Sequence, residues 1–317
     1  MTTFGYALSC EEHAAPDLIR NARRAEELGF SYLSVSDHYH PWIDAQGHSP
    51  FVWSVVGAIA AATERVDVGI GVTCPIIRIH PAVVAQAAAT SATLLPGRFF
   101  LGVGTGEALN EHVLGDRWPP PDIRLEMLEE AVEVMRRLWE GGTVDHHGRY
   151  YTVENARLYD VPDQPVPVIF SGFGPQSVEL AGRIGDGYWG TGPQEELISA
   201  YEQAGGKGPR YGQVSLCWAE DEATARRTAH RQWPNMGIKG QLAQDLPTPT
   251  HFEQAASMVR EDDVASTIPC GPDASAVIKS IRQYEEAGYT HLHLHQVGDD
   301  QEGFFRFWQE ELAPELS

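Results

Sequence analysis

Lysine is scarce. Only three lysines, Lys207, Lys239 and Lys279, stand among 23 basic residues in a chain of 317, against 44 acidic ones. The net charge of −21 argues against nucleic acid or an anionic membrane surface as partner, since a field of that sign repels both. It suits a cationic substrate, a salty cytoplasm or plain solubility. Cysteine is sparse as well: Cys10, Cys74, Cys217 and Cys270 are scattered, with no C-x-x-C pair. That pattern speaks against a disulfide framework or a zinc ribbon and for a reducing, cytoplasmic compartment. Long apolar runs are missing; Phe51 to Ala62 is the longest and is too short to span a bilayer. The N-terminus "MTTFGYALSCEEH" has no basic n-region, so no signal peptide is expected.

What is present is a steady alternation of strand and helix. Strands are expected at Phe4–Leu8, Tyr32–Asp37, Val66–Cys74, Phe99–Gly106, Val168–Phe170, Tyr188–Trp189, Gln213–Trp218 and Thr290–Val297. Helices are expected at Pro16–Gly29, Trp53–Arg65, Pro81–Leu95, Ile123–Gly141 and Ala276–Ala287. Thr143–Val153 reads as a β-hairpin with Gly148 in its turn, and Trp233–Pro269 as a loop with one or two helices. Glu26–Asp37 and Glu285–Gln296 align without a gap, each running from helix end through Gly to an alternating strand, and Ala181–Gly192 is a looser copy. Repetition of one βα unit points to a (β/α)8 TIM barrel with insertion loops, a single domain over 1–317. The glycine-rich Gly102–Glu111 gives G-x-G-x-G, not the dinucleotide fingerprint.

In such a barrel the chemistry sits at the strand ends. Those ends are rich in Gly, Ser and Thr, which leave room for a flat ring and offer backbone N–H groups. They carry one acid–base pair, His38 and Glu107. "SVSDHYHPW" (Ser34 to Trp42) ends its strand on Asp37-His38, and three readings stay open. His38 is a satisfied buried histidine, or a general base, or with Asp37 and His40 a metal ligand of a barrel hydrolase. The metal reading lacks ligands on other strand ends, where Thr105, Ser171 and Thr191 stand. His291, His293 and His295 share one strand face, and only His295 lies near enough to the C-terminal end to suggest ligand contact.

"VSDHYHPW", "LGVGTGEALNE", "AGRIGDGYWGTG" and "FFRFWQEELAPEL" resemble the coenzyme F420-dependent glucose-6-phosphate dehydrogenases, within the luciferase-like flavin and deazaflavin oxidoreductases. The resemblance runs from Gly5 to Leu316. It implies an enzyme that moves a hydride between a substrate hydroxyl and C5 of F420, with FMN-dependent monooxygenation the alternative, and a homodimer. It implies that His38 removes the hydroxyl proton, supported by Glu11, that Glu107 acts in proton transfer, and that Trp42 walls the substrate. Asp37, Cys74, Thr105, Gly106, Asn110, Ser171, Gly172, Phe173, Gly174 and Thr191 are implied in cofactor binding. Gly71 and Val72 match a bulge, often with a cis peptide, that backs the ring. Members acting on glucose 6-phosphate hold its phosphate with two lysines and an arginine. Gln194, Ala243 and Ser266 stand there instead, and Cys74 replaces a Thr. Lys239 is the nearest lysine. The expected substrate is therefore a neutral or cationic alcohol or sugar, and an anionic cofactor tail would need a local cation such as Arg78.

Overall fold

The computed structural model describes residues 2–238 and 240–316. Eight parallel strands close into a barrel: β1 (Thr3–Leu8), β2 (Tyr32–Val35), β3 (Asp67–Thr73), β4 (Phe99–Val103), then β7 (Val168–Ser171), β8 (Gly187–Gly190), β9 (Arg210–Leu216) and β10 (His291–Gln296). The order round the barrel follows the chain, and β10 pairs back onto β1. The excursion between β4 and β7 carries an antiparallel hairpin, β5 (Val144–His147) and β6 (Thr152–Ala156). This is the (β/α)8 barrel expected, with strand bounds shifted by one to three residues. No helix among the described residues is long and apolar enough to cross a membrane.

The helices form because their apolar residues recur at helical spacing. In Pro121–Trp139 the residues Leu128, Ala131, Val132, Met135 and Leu138 are buried, with Pro opening the first turn. Inside the strands alternation decides the packing. One face of each strand meets the helices, while Tyr32, Phe100, Ile169, Trp189 and Tyr211 point inward and fill the lumen. Phe100 and Tyr211 stack at 5.0 Å, and Trp189 stacks on Tyr211 at 5.2 Å. Rings of this size need a missing side chain beside them. A Cβ at Gly69 would lie 2.1 Å from the Phe100 ring, so only glycine fits. His293 is fully buried in the same layer, and burial pushes its imidazole down to about 3, so it packs as a neutral ring.

The expectation of a loop with one or two helices over Trp233–Pro269 is corrected. A 3₁₀ turn at Pro234–Gly237 precedes three short helices, Leu242–Asp245, Pro249–Ala256 and Glu261–Ala265. Few apolar residues in that stretch fall at helical spacing, so periodicity could not separate the pieces. They pack because Trp233, Val264 and Ile268 share a small core with Cys217 and Val297.

Candidate active site

The aromatic filling stops the lumen, so open space lies at the C-terminal strand ends. A cavity of about 1360 Å³ is found there. Its wall includes Glu11, Asp37, His38, Trp42, Glu107 and Asn110. Gly71, Val72, Cys74, Thr105, Gly106, Ser171 to Gly174 and Thr191 also line it, so topology brings all the singled-out residues together. The Gly71–Val72 peptide is cis. Gly106 has φ +70, and a Cβ there would meet Cys74 Sγ at 2.6 Å. Burial holds the Cys74 thiol well above its ordinary range, so it is a neutral surface.

His38 is the best-furnished group. Its Nε2 lies 3.2 Å from Glu11 Oε1, and its side chain is 11% exposed against 4% for Glu11. Ser36 Oγ and Ser9 Oγ donate to the other Glu11 oxygen at 2.5 and 3.1 Å. On the far side Nδ1 lies 3.1 Å from the His40 carbonyl and 3.1 Å from Asn110 Nδ2. Asn110 is fixed by its own carbonyl, which accepts from the amides of Tyr39 and His40 at 2.9 and 3.2 Å. Trp42 packs on the imidazole with ring centroids 4.9 Å apart. The Glu11 carboxylate only accepts, so the neutral imidazole carries its hydrogen on Nε2, and a second proton makes a cation that Glu11 and the His40 carbonyl both stabilise. Glu107 lines the same cavity but makes no hydrogen bond with His38. His40 meets His38 only through its backbone, and no group of three or more His, Cys, Asp or Glu is placed to hold a metal among the described residues.

Asp37 serves a different network. Thr73 Oγ1 donates to it at 2.5 Å, and its Oδ1 lies 3.0 Å from the Arg78 guanidinium. Arg78 also donates through its backbone N–H to Glu111 at 2.9 Å and meets Glu111 Oε1 at 3.3 Å. Burial lifts the Glu111 carboxyl to about 7 against the pull of Arg78. The expectation that Arg78 would supply a free cation to the groove is therefore corrected. It is enclosed between two carboxyl groups and is not on the cavity wall.

The cation that is on the wall was missed. Arg124 is 1% exposed, stacks over Trp118 at 4.1 Å and donates to Gln244 Oε1 at 3.0 Å. Its Nε and Nη1 have no partner. Unpartnered buried N–H groups of a cation are costly, and an anion in the cavity would satisfy them. A signal existed: Arg124 falls on the buried face of its helix, in line with Leu128, Ala131 and Met135, where a charge is out of place. Beyond it, the helix Pro175–Ile184 opens into the cavity through Gly174, Pro175 and Ser177. Its free N–H groups suit a phosphate.

The luciferase-like monooxygenase family model matches residues 2–291. The chain belongs to that family. Within it, an F420-dependent glucose-6-phosphate dehydrogenase from Microbacterium testaceum is 36% identical over 326 residues, covering 99% of this chain and 97% of that one. One from Mycolicibacterium gilvum is 36% identical over 327 residues, covering 98% and 97%. A solved F420-dependent secondary alcohol dehydrogenase in complex with an F420-acetone adduct superposes with a TM-score of 0.90 at 33% identity, covering 98% and 97%. An F420-dependent tetrahydromethanopterin reductase from Methanopyrus kandleri shares the luciferase-like fold, with a TM-score of 0.81 at 20% identity over 100% and 99%.

The names of these relatives contradict the expectation of a substrate without phosphate. The physical reason is that three positions do not exhaust the cations. Of Gln194, Ala243 and Ser266 only Ala243 is on the wall, and Arg124, also on the wall, donates to the next residue, Gln244. Lys239 lies outside the described residues.

Proposed function

We propose that this chain is an F420-dependent dehydrogenase that oxidises a substrate CH–OH group, or reduces the matching carbonyl. The observation that carries the reading is the Glu11–His38 pair on the wall of a cavity larger than the roughly 300–1,000 Å³ of a single-ligand pocket. Such a space accommodates a flat cofactor and a substrate together. The residues fit that cofactor. Gly71, Gly104 and Gly106 leave a thin slot for a ring, and Arg124 and the Pro175–Ile184 helix start offer N–H donors to an anionic tail. When bound, F420 supplies C5 of its deazaflavin ring as hydride acceptor.

The protein's share is proton handling and placement. With Nε2–H held by the Glu11 carboxylate, the Glu11–His38 pair takes the hydroxyl proton as the C–H bond breaks, and Glu11 and the His40 carbonyl stabilise the imidazolium. Positioned base catalysis of this kind contributes roughly 10²–10⁴-fold. Trp42 and Val72 give the reacting carbon an apolar wall, and Glu107, unpaired on that wall, exchanges protons with bound groups. Four free cysteines support a reducing, cytoplasmic setting.

The deciding measurement is fluorescence quenching of F420 by purified protein with FMN as competitor, followed by F420 reduction with propan-2-ol and glucose 6-phosphate. Micromolar F420 binding with turnover is expected. Preferential FMN binding would overturn the assignment.

A further inference from the structure

The adjacent residue, Glu12, anchors a second polar chain that the hydride-transfer reading does not use. Glu12 Oε2 lies 2.9 Å from His295 Nε2, and Oε1 accepts from the Gly298 amide at 2.8 Å. Both side chains of the pair are 2% exposed. On its other edge His295 Nδ1 lies 3.2 Å from Ser215 Oγ and 3.5 Å from Gln213 Nε2. Gln213 Nε2 also donates to Ser215 Oγ at 3.2 Å. Trp233 closes the imidazole edge-on at 4.9 Å. Ser215 and Gln213 stand two residues apart on β9, Ser215 in register with His295 on β10, and all three line the cavity.

Counting hydrogens fixes the polarity of this chain. Burial alone would raise the Glu12 carboxyl, but the hydrogen bonds from His295 and the Gly298 amide hold it below its ordinary value. A carboxylate only accepts, so Nε2 carries the hydrogen. At Nδ1 the neighbours are an amide donor and a hydroxyl, so Nδ1 is bare and receives the Ser215 hydrogen. Ser215 Oγ then has one lone pair filled by Gln213 N–H and one left for the cavity. The Gln213 side-chain Oε1 has no protein partner among the described residues, while its backbone carbonyl accepts from Tyr284. The chain thus ends in two acceptors and no donor.

We propose that Ser215 and Gln213 form a subsite for a hydrogen-bond donor, a hydroxyl or amine on a substrate carbon other than the one oxidised. The subsite rests on the dehydrogenase reading above and names its substrate class: polyhydroxy or amino-hydroxy compounds over simple alcohols. Glu12 and His295 are positioning residues, setting Ser215 as acceptor through two hydrogen bonds. Because both Glu12 oxygens accept N–H, an amide at this position must turn its NH₂ toward one of them. The substitution Glu12→Gln is then expected to put Nδ1–H on His295 and turn Ser215 into a donor.

The test uses the full chain with F420, in wild-type and Ser215→Ala forms, against propan-2-ol, glucose, glucosamine and glucose 6-phosphate. Ser215→Ala is expected to raise KM for the polyhydroxy compounds about five- to thirty-fold, the loss of one or two hydrogen bonds, and to change the propan-2-ol KM by less. An equal change for propan-2-ol, or none for any compound, overturns the subsite. In parallel, ¹⁵N-histidine NMR reads the tautomer without turnover. The wild type is expected to give Nε2–H and bare Nδ1 on His295, Glu12→Gln the reverse, and at least one polyhydroxy compound is expected to shift the Nδ1 resonance. A wild-type Nδ1–H, or a resonance that no compound moves, overturns it. If F420 fails to quench while the Nδ1 shift persists, the dehydrogenase reading falls and the subsite stands.

Discussion

Two consecutive carboxylates at the end of one strand each hold a histidine from a neighbouring strand, one on either side. Glu11 reaches His38 after β2, and Glu12 reaches His295 on β10. Each imidazole has a tryptophan at 4.9 Å, Trp42 on the first and Trp233 on the second. The parts match, yet the settings differ. His38 is 11% exposed and sits in a loop, with its Nδ1 between a backbone carbonyl and an amide. His295 is 2% exposed, sits within a strand and feeds a hydroxyl. In the proposed reading the same carboxylate–imidazole pair is a proton acceptor at His38, the more exposed of the two, and a rigid hydrogen-bond relay at His295.

The comparison breaks most readily at the histidines. His38→Gln is expected to slow F420 reduction by roughly 10²–10⁴-fold while leaving F420 quenching intact. His295→Gln is expected to leave that rate within about tenfold on the same scale, and equal losses would erase the distinction. Next come the carboxylates in energy terms. Glu12→Ala strands a buried imidazole N–H and an amide and is expected to cost about 1–3 kcal/mol in urea unfolding. For Glu12 the folded pKa is depressed, so its stabilisation is present above the unfolded value near 4.5 and lost as pH falls through the lower folded value. Wild type is therefore expected to lose stability below about pH 4.5 more steeply than Glu12→Ala. Glu11→Gln, whose partner is more open, is expected to show its effect in kcat, a smaller share of the same roughly 10²–10⁴-fold. The smallest effects belong to the indoles. Trp233→Phe is expected to cost about 0.5–1.5 kcal/mol of stability, and Trp42→Phe to appear mainly in KM.

The barrel was legible because its signal is periodic and repeated. The echo between Glu26–Asp37 and Glu285–Gln296 corresponds to the two strands flanking β1, each entered through a positive-φ glycine, Gly29 and Gly288. Strand-end position then sufficed to collect Glu11, His38, Trp42 and Glu107 on one wall, whereas Asn110 was implied only by resemblance. What stayed hidden needed three dimensions. That His38 would meet Glu11 was implied only by resemblance, while adjacency in sequence pointed at Asp37, which instead binds Thr73 and Arg78. Arg78 follows β3 and Arg124 opens the helix Pro121–Trp139, and only packing reveals which is spent on protein carboxylates. Ser215 and Gln213 lie on β9 and Glu12 in the turn after β1, far apart in the chain, so no local pattern could join them.

The stoppered lumen divides the barrel. With Phe100, Trp189 and Tyr211 packed across it, the cavity is closed off from the N-terminal strand ends, so a ligand reaches it from the C-terminal side.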